Sequence, residues 1–212
     1  MIAPPRELQE ARNAIKVYDQ FDDWSATEEQ HLLSAHRLLM SALVDDAGLY
    51  RCGNVGVMNN DKVVYMAPPA NQVHRLMSNL FAWLKSTNQH PLIVRAVFHY
   101  EFEFIHPFSD GNGRMGRLWQ SLILSQWRPL LAQLPVESMV HARKIEYYQA
   151  LNASTRQSDS APFIEFMLAA ILALINDYAG VDTPQVTPPR YPPGHPPGCE
   201  PPVSVECRSG AA

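Results

Sequence analysis

Half of the prolines in this chain stand in one short segment, and that segment limits where a fold can be. Nine of the 18 lie between Pro184 and Pro202, most of them in the run TPPRYPPGHPPGCEPP. Proline lacks a backbone donor and cannot continue a helix, and this stretch has little to bury. Residues 181–212 are therefore read as a disordered, proline-rich tail. Docking of its PPxY-like or PxxP-like runs on SH3 or WW modules is the functional alternative to a dispensable tail. The working unit is then a single domain formed by the first 180 of the 212 residues.

Within that unit the apolar residues recur mostly at helical spacing. Leu8, Ala11, Ile15 and Tyr18 predict a first helix. Ser25 followed by Glu28 reads as a capping box opening a second helix, with Leu32, His36, Leu39, Met40 and Leu43 on one side. Val73, Leu76, Met77, Leu80 and Leu84 predict a helix over 71–85. His90-Pro91 opens another, with Ile93, Ala96, Val97, Tyr100 and Phe104 inward, and further helices are predicted over 114–127, 141–156 and 162–178. Only one stretch departs from this period. Val55-Gly56-Val57 and Val63-Val64-Tyr65-Met66 predict a β-hairpin around the polar turn 58–62. The fold class is thus all-α, a helical bundle carrying one small β-hairpin flap.

Composition narrows the function. The net charge of −4 argues against a protein that holds nucleic acid through its overall charge. Cys52, Cys199 and Cys207 are an odd number at unrelated spacings, which suits neither a disulfide framework nor a zinc site. No 18-residue apolar run or signal peptide is evident, so the expected setting is cytoplasmic, with no membrane span.

The chemistry is concentrated in HPFSDGNGRMGR, His106 to Arg117. A glycine-rich turn follows an apolar helix and opens another. Backbone N–H groups at Gly111, Asn112 and Gly113 would face outward at the positive end of a helix dipole, which makes an anion site. Arg114 and Arg117, three residues apart, share one helix face and can address the same anion. Asp110 supplies one hard oxygen beside the phosphate position, as a Mg²⁺ bound mainly by phosphates and water requires. His106 is a candidate general base. From the residues alone, this pattern points to phosphoryl or nucleotidyl transfer from a Mg-nucleotide. His36, His74 and His99 lie within helical patterns and are read as structural.

These twelve residues resemble the Fic-domain signature HxFx(D/E)GNGRxxR at every specified position. Gly48-Leu49-Tyr50-Arg51, the hairpin, Tyr65-Met66-Ala67-Pro68-Pro69, Tyr147 to Leu151 and Pro162 to Phe166 also resemble Fic cores, in order and spacing. The resemblance implies N-terminal helices over 1–46, a catalytic core over 47–180 and the tail beyond. It implies a protein adenylyltransferase that moves AMP from ATP to a Ser, Thr or Tyr hydroxyl of a target protein, releases pyrophosphate and also modifies itself. His106 would be the base, Asp110 the ligand of Mg²⁺ (or Mn²⁺), and Phe108 the anchor of the loop. Gly111, Asn112 and Gly113 would cradle the phosphates, and Arg114 and Arg117 would bind their β/γ end. Val63, Val64 and Tyr65 would dock the target edge to edge. Tyr148 would contact adenine or ribose, and Thr155 stands where some relatives place an Asn against the base.

Many Fic proteins are held inactive by a helix bearing (S/T)xxxE(G/N), and no such sequence is found. The segment Ser25 to Gln30 comes nearest and departs from the pattern. The resemblance implies that this helix has been truncated, or is supplied by a separate antitoxin, leaving a deregulated enzyme; a homo-oligomer is compatible with the sequence. Transfer of phosphate is disfavoured because Doc-type relatives carry Lys where this chain has Gly113. Transfer of UMP or phosphocholine, removal of AMP, and a non-catalytic nucleotide-responsive binding module stay open.

Overall fold

The computed structural model describes residues 5–59, 62–129, 139–140 and 142–181, with the side chains of 57–65 and 177–181 left aside. The proline-rich segment from 182 onward, and Asn60 and Asp61 in the expected turn, lie outside the described residues. Those described form seven helices, one 3₁₀ turn and a two-stranded antiparallel sheet. The helices are α1 (Pro5–Asp19), α2 (Glu29–Leu39), α3 (Ala70–Ser86), α4 (Pro91–Ile105), α5 (Asn112–Trp127), α6 (Lys144–Gln157) and α7 (Ala161–Val181). The strands are β1 (Gly56–Asn59) and β2 (Lys62–Met66), and the 3₁₀ turn spans Phe21–Asp23. None of these helices is long and apolar enough to cross a membrane.

α4 is the centre of the bundle. Pro91 occupies its first turn, where a missing N–H removes no helical bond, and the His90 ring accepts from Leu92 N at 3.3 Å. The helix is buried almost all round. Val94, Phe98, Phe102 and Ile105 enter a large cluster with α2, α3 and α5, built on Leu32, Val73, Met77, Phe81, Met115 and Trp119. Ala96 and Tyr100 enter a second cluster with Tyr147, Phe163 and Met167 from α6 and α7. Complete burial of Phe98 and Phe102 contributes about 1.5–3 kcal/mol each, so the helix that precedes the motif is held by its side chains, not by intrinsic propensity.

Three local readings are corrected. Ser25 and Glu28 do not form a capping box: α2 begins at Glu29, and its N-cap Glu28 makes no side-chain capping bond. The Ser25 N–H instead donates to His31 Nδ1 at 2.8 Å, while Glu28 pairs with Lys85 at 3.1 Å. α1 forms where its spacing predicts, yet Leu8, Ile15 and Tyr18 are exposed and the residues it buries are Asn13 and Val17. Asn13 Nδ2 donates to the carbonyls of Leu39 and Ser41 at 3.0 and 2.8 Å. A helix is thus docked by caps for the end of α2 as much as by apolar contact. In the hairpin, Met58, Asn59 and Lys62 belong to the paired strands, with Met58 opposite Val63 and Asn59 opposite Lys62, and the register shifts between Val57 and Met58.

α5 approaches α4 closely because Gly116 has no side chain. A Cβ there would lie 2.9 Å from both Glu103 Oε1 and His99 Nδ1. Gly116→Ala is therefore expected to destabilise the fold by about 1–3 kcal/mol through overpacking. Urea denaturation monitored by tryptophan fluorescence measures this, and an unchanged midpoint would show that the two helices can part without cost.

Candidate active site

The site is the connection between α4 and α5, and its shape begins at His106. This residue closes α4 in the left-handed region (φ 50°, ψ 62°), with its N–H bonded to Phe102 O at 2.9 Å. A side chain in that conformation costs on the order of 1 kcal/mol, so surrounding contacts must hold it there. Arg51 supplies them. Its Nε donates to His106 O at 2.7 Å, Nη1 to Gly53 O at 2.8 Å, and Nη2 to Pro68 O at 2.7 Å and Ile105 O at 3.2 Å. Its own N–H donates to Pro107 O at 2.9 Å. One buried guanidinium thus ties the end of α4 to the segments that flank the hairpin.

Beyond His106 the chain dives into the core and returns. Phe108 is fully buried and lies parallel to the His36 ring, centroids 3.6 Å apart. Asn112, at the start of α5, grips the Phe108 backbone at two points: Oδ1 accepts from Phe108 N at 2.9 Å and Nδ2 donates to Phe108 O at 2.8 Å. His36 grips the next bend. Its Nδ1 accepts from Gly48 N at 2.8 Å, which leaves Nε2–H to donate to Asp110 O at 3.0 Å. Burial lowers its pKa, in keeping with this neutral tautomer. Gly111 then turns left-handed at φ 85°, in a space where a Cβ would meet Met40 Sδ at 2.7 Å.

The result is an open cleft of about 320 Å³ lined by His106, Ser109, Asp110, Gly111, Asn112, Gly113, Arg114 and Arg117. The seven motif residues expected to bind or react therefore meet at one place, while Phe108, the expected anchor, lies in the core. Gly111 N donates to Asp110 Oδ1 at 2.6 Å, so that group is engaged within the loop. Asn112 contributes through the shape it imposes, since its carboxamide faces inward. Burial moves the His106 imidazole below its ordinary pKa; the Glu103 carbonyl and Asp110 oppose the shift, and Arg51 adds to it. An imidazole that stays unprotonated near neutrality is the consequence.

α1 reaches the rim of this cleft. Arg6 Nη2 lies 3.2 Å from Asp110 Oδ2, and Glu10 Oε1 lies 3.5 Å from Arg114 Nη1. Arg114 Nη2 is also 3.5 Å from Asp110 Oδ1. These are exposed contacts of modest strength. Among the described residues no group of three or more His, Cys, Asp or Glu side chains could hold a metal. A single carboxylate beside a phosphate-sized cleft fits Mg²⁺ bound mainly by a nucleotide's own oxygens, provided that the Arg6 contact gives way.

Tyr148 lies on α6, with its ring edge-on to Tyr147 at 5.4 Å, and is not among the residues lining the cleft. Val63, Val64 and Tyr65 lie on β2, and their side chains fall outside those described. Thr155 bonds to its own helix, at Leu151 O, 3.0 Å away. Sequence reasoning missed the positioning roles of Arg51 and His36. A helical pattern marks His36 only as inward, and nothing local distinguishes Arg51 from an exposed loop arginine. Arg51→Met should lower stability by about 3 kcal/mol or more, since it strands buried carbonyls; a smaller loss on urea denaturation would mean water can replace the guanidinium.

Residues 26–124 match the Fic/DOC family model. The protein adenylyltransferase Fic of Nematostella vectensis is 31% identical over 150 residues, which is 69% of this chain and 33% of that protein. The Caenorhabditis briggsae protein adenylyltransferase fic-1 is 29% identical over 195 residues, covering 85% of this chain and 36% of its own length. The chain therefore spans about a third of the length of these curated relatives. Among solved structures, a Fic family protein from Desulfovibrio desulfuricans G20 is 52% identical with a TM-score of 0.82, over 86% of this chain and 56% of that one. By the match over 26–124 and by its fold, the chain belongs to the Fic/DOC family.

Proposed function

We propose that this protein is an adenylyltransferase that moves AMP from Mg-ATP to a hydroxyl of a protein, its own chain included. The observation that carries the reading is a single cleft in which a base, a lone carboxylate, a helix N-terminus and two arginines converge. His106 takes the proton of the attacking hydroxyl. As the new bond from that oxygen to the α-phosphorus forms, the bond from phosphorus to the β-bridging oxygen breaks and pyrophosphate leaves. The first turn of α5 faces the negative charge that develops, with donors already oriented and no rearrangement needed. Arg114 and Arg117 hold the β/γ end. Asp110 would hold the Mg²⁺, which supplies charge neutralisation on the phosphates.

Two further roles rest on position. β2 lies at the edge of a two-stranded sheet, where an extended target segment could add as a third strand through Val63, Val64 and Tyr65. Tyr148 is assigned to the adenine or ribose side. The contacts of Arg6 with Asp110 and of Glu10 with Arg114 give way when nucleotide enters, because phosphates and Mg²⁺ offer both partners stronger ones. The relatives named adenylyltransferases favour AMP over other phosphate-containing groups.

Incubation with α-³²P-ATP and, separately, γ-³²P-ATP tests this reading. Protein labelled from the α position only is expected, with the signal lost in EDTA. His106→Ala should reduce it about 10²–10⁴-fold while Mg-ATP still raises the melting temperature by mass action. Label from the γ position would instead indicate phosphate transfer, and label from neither would indicate a binding module.

A further inference from the structure

We propose that Glu103 is the positioning residue of His106: its carboxylate faces Nδ1, keeps the proton on that nitrogen, and leaves Nε2 to receive the proton of the attacking hydroxyl. The inference deepens the transfer reading above and rests on it. Glu103 stands three residues before His106, and its Oε2 lies 4.0 Å from His106 Nδ1. His106 Nδ1 and Glu103 Oε1 are both sealed from solvent without a well-formed hydrogen bond, and the Glu103 backbone carbonyl also acts on the ring. Because Nδ1 is closed off on the protein side, the ring edge that reaches the cleft is the Nε2 edge.

Glu103 continues a polar file along a helix that is otherwise apolar. Arg95, His99 and Glu103 recur at every fourth residue; the first two are fully buried, and the Glu103 side chain is 15% exposed. Burying a carboxyl group with one oxygen unpaired is costly, and an apolar residue of the same size would serve packing better. Gly116 on α5 makes the room: the ideal Cβ position at that glycine is only 2.9 Å from Glu103 Oε1. His99 is fixed on its far side by Tyr147, whose hydroxyl is 2.7 Å from Nε2, and burial pushes its pKa down to about 3. It is therefore neutral and does not compete for the carboxylate. Arg117 on α5 and Tyr147 on α6 also act electrostatically on Glu103 or with it, and Arg51 and Asp110 act on His106.

The geometry is completed by the backbone. Left-handed closure of α4 at His106 fixes the ring's attachment, so the two groups cannot drift apart by rotation of the main chain. Burial raises the Glu103 pKa to about 7, and Arg117 opposes this. The Arg117 charge favours the carboxylate that the role requires.

Two measurements decide the matter. In ¹⁵N-histidine spectra of the wild-type protein at pH 7.5, the His106 resonances, assigned by their loss in His106→Ala, should report the Nδ1–H tautomer. In steady-state AMP transfer, Glu103→Gln should lower kcat about tenfold or more with KM for ATP unchanged, and Glu103→Met should lower it further. The Gln variant keeps an acceptor near Nδ1 and the Met variant does not, so this order separates positioning from packing. An Nε2–H tautomer in the wild type would overturn the proposal. So would variants with kcat within twofold of wild type, because the Glu103 carbonyl would then suffice. If neither variant folds, Glu103→Asp, which withdraws the carboxylate by one methylene, takes their place, and a kcat within twofold of wild type overturns the proposal. If the wild type transfers no AMP, the transfer reading fails, whereas the tautomer still reports on the pair.

Discussion

A residue held through both its N–H and its carbonyl by one carboxamide is the contact on which the site depends. Asn112 bonds both the N–H and the carbonyl of Phe108, which closes the loop between α4 and α5 into a rigid ring. Phe108 itself is buried in the main cluster, so the ring is riveted to the core. His36 and Arg51 then hold the two shoulders, one through Asp110 O and the other through His106 O. Backbone groups at an anion site must be oriented before the ligand arrives if they are to stabilise charge without rearranging. Here that orientation comes from four side chains, only one of which begins the helix that carries the arginines.

The same contacts set the charge states. Three histidines surround the motif, and burial lowers all three below the ordinary imidazole value. Two of them serve as neutral struts: His36 is bonded through both ring nitrogens and His99 through Nε2 to Tyr147. His106 alone lines the cleft. Role is thus separated by access, since the local environment treats the three rings alike. Arg114 at the start of α5 opposes its dipole, and the carboxylates of Glu10 and Asp110 offset it.

Much of this was legible in the sequence. The hydrophobic period locates the helices most firmly where, as in α3, α4 and α5, an apolar face is buried. The motif locates the cleft, because its parts lie within twelve consecutive residues. Contacts that cross the chain were not legible. His36 acts on a carbonyl 74 residues away and Arg51 on one 55 residues away, and a carbonyl carries no residue identity to be read. α1 shows the converse failure: Leu8, Ile15 and Tyr18 have helical spacing, but Asn13 caps the end of α2 and turns that stripe outward. The failed capping box at Ser25 has a similar cause, since His31 competes for the same backbone group.

The pairing of α4 with α5 is the most extensive helix contact among the described residues, and only six residues separate the two elements. Loops that short close quickly and at low entropic cost. The strained turn at His106 therefore belongs to a hairpin of helices that can assemble early, before the more distant braces from α1 and α2 arrive. A machine-like loop can be kept under tension in this way because the elements that strain it are sequence neighbours, and the remainder of the chain has only to lock a shape that local folding has already drawn.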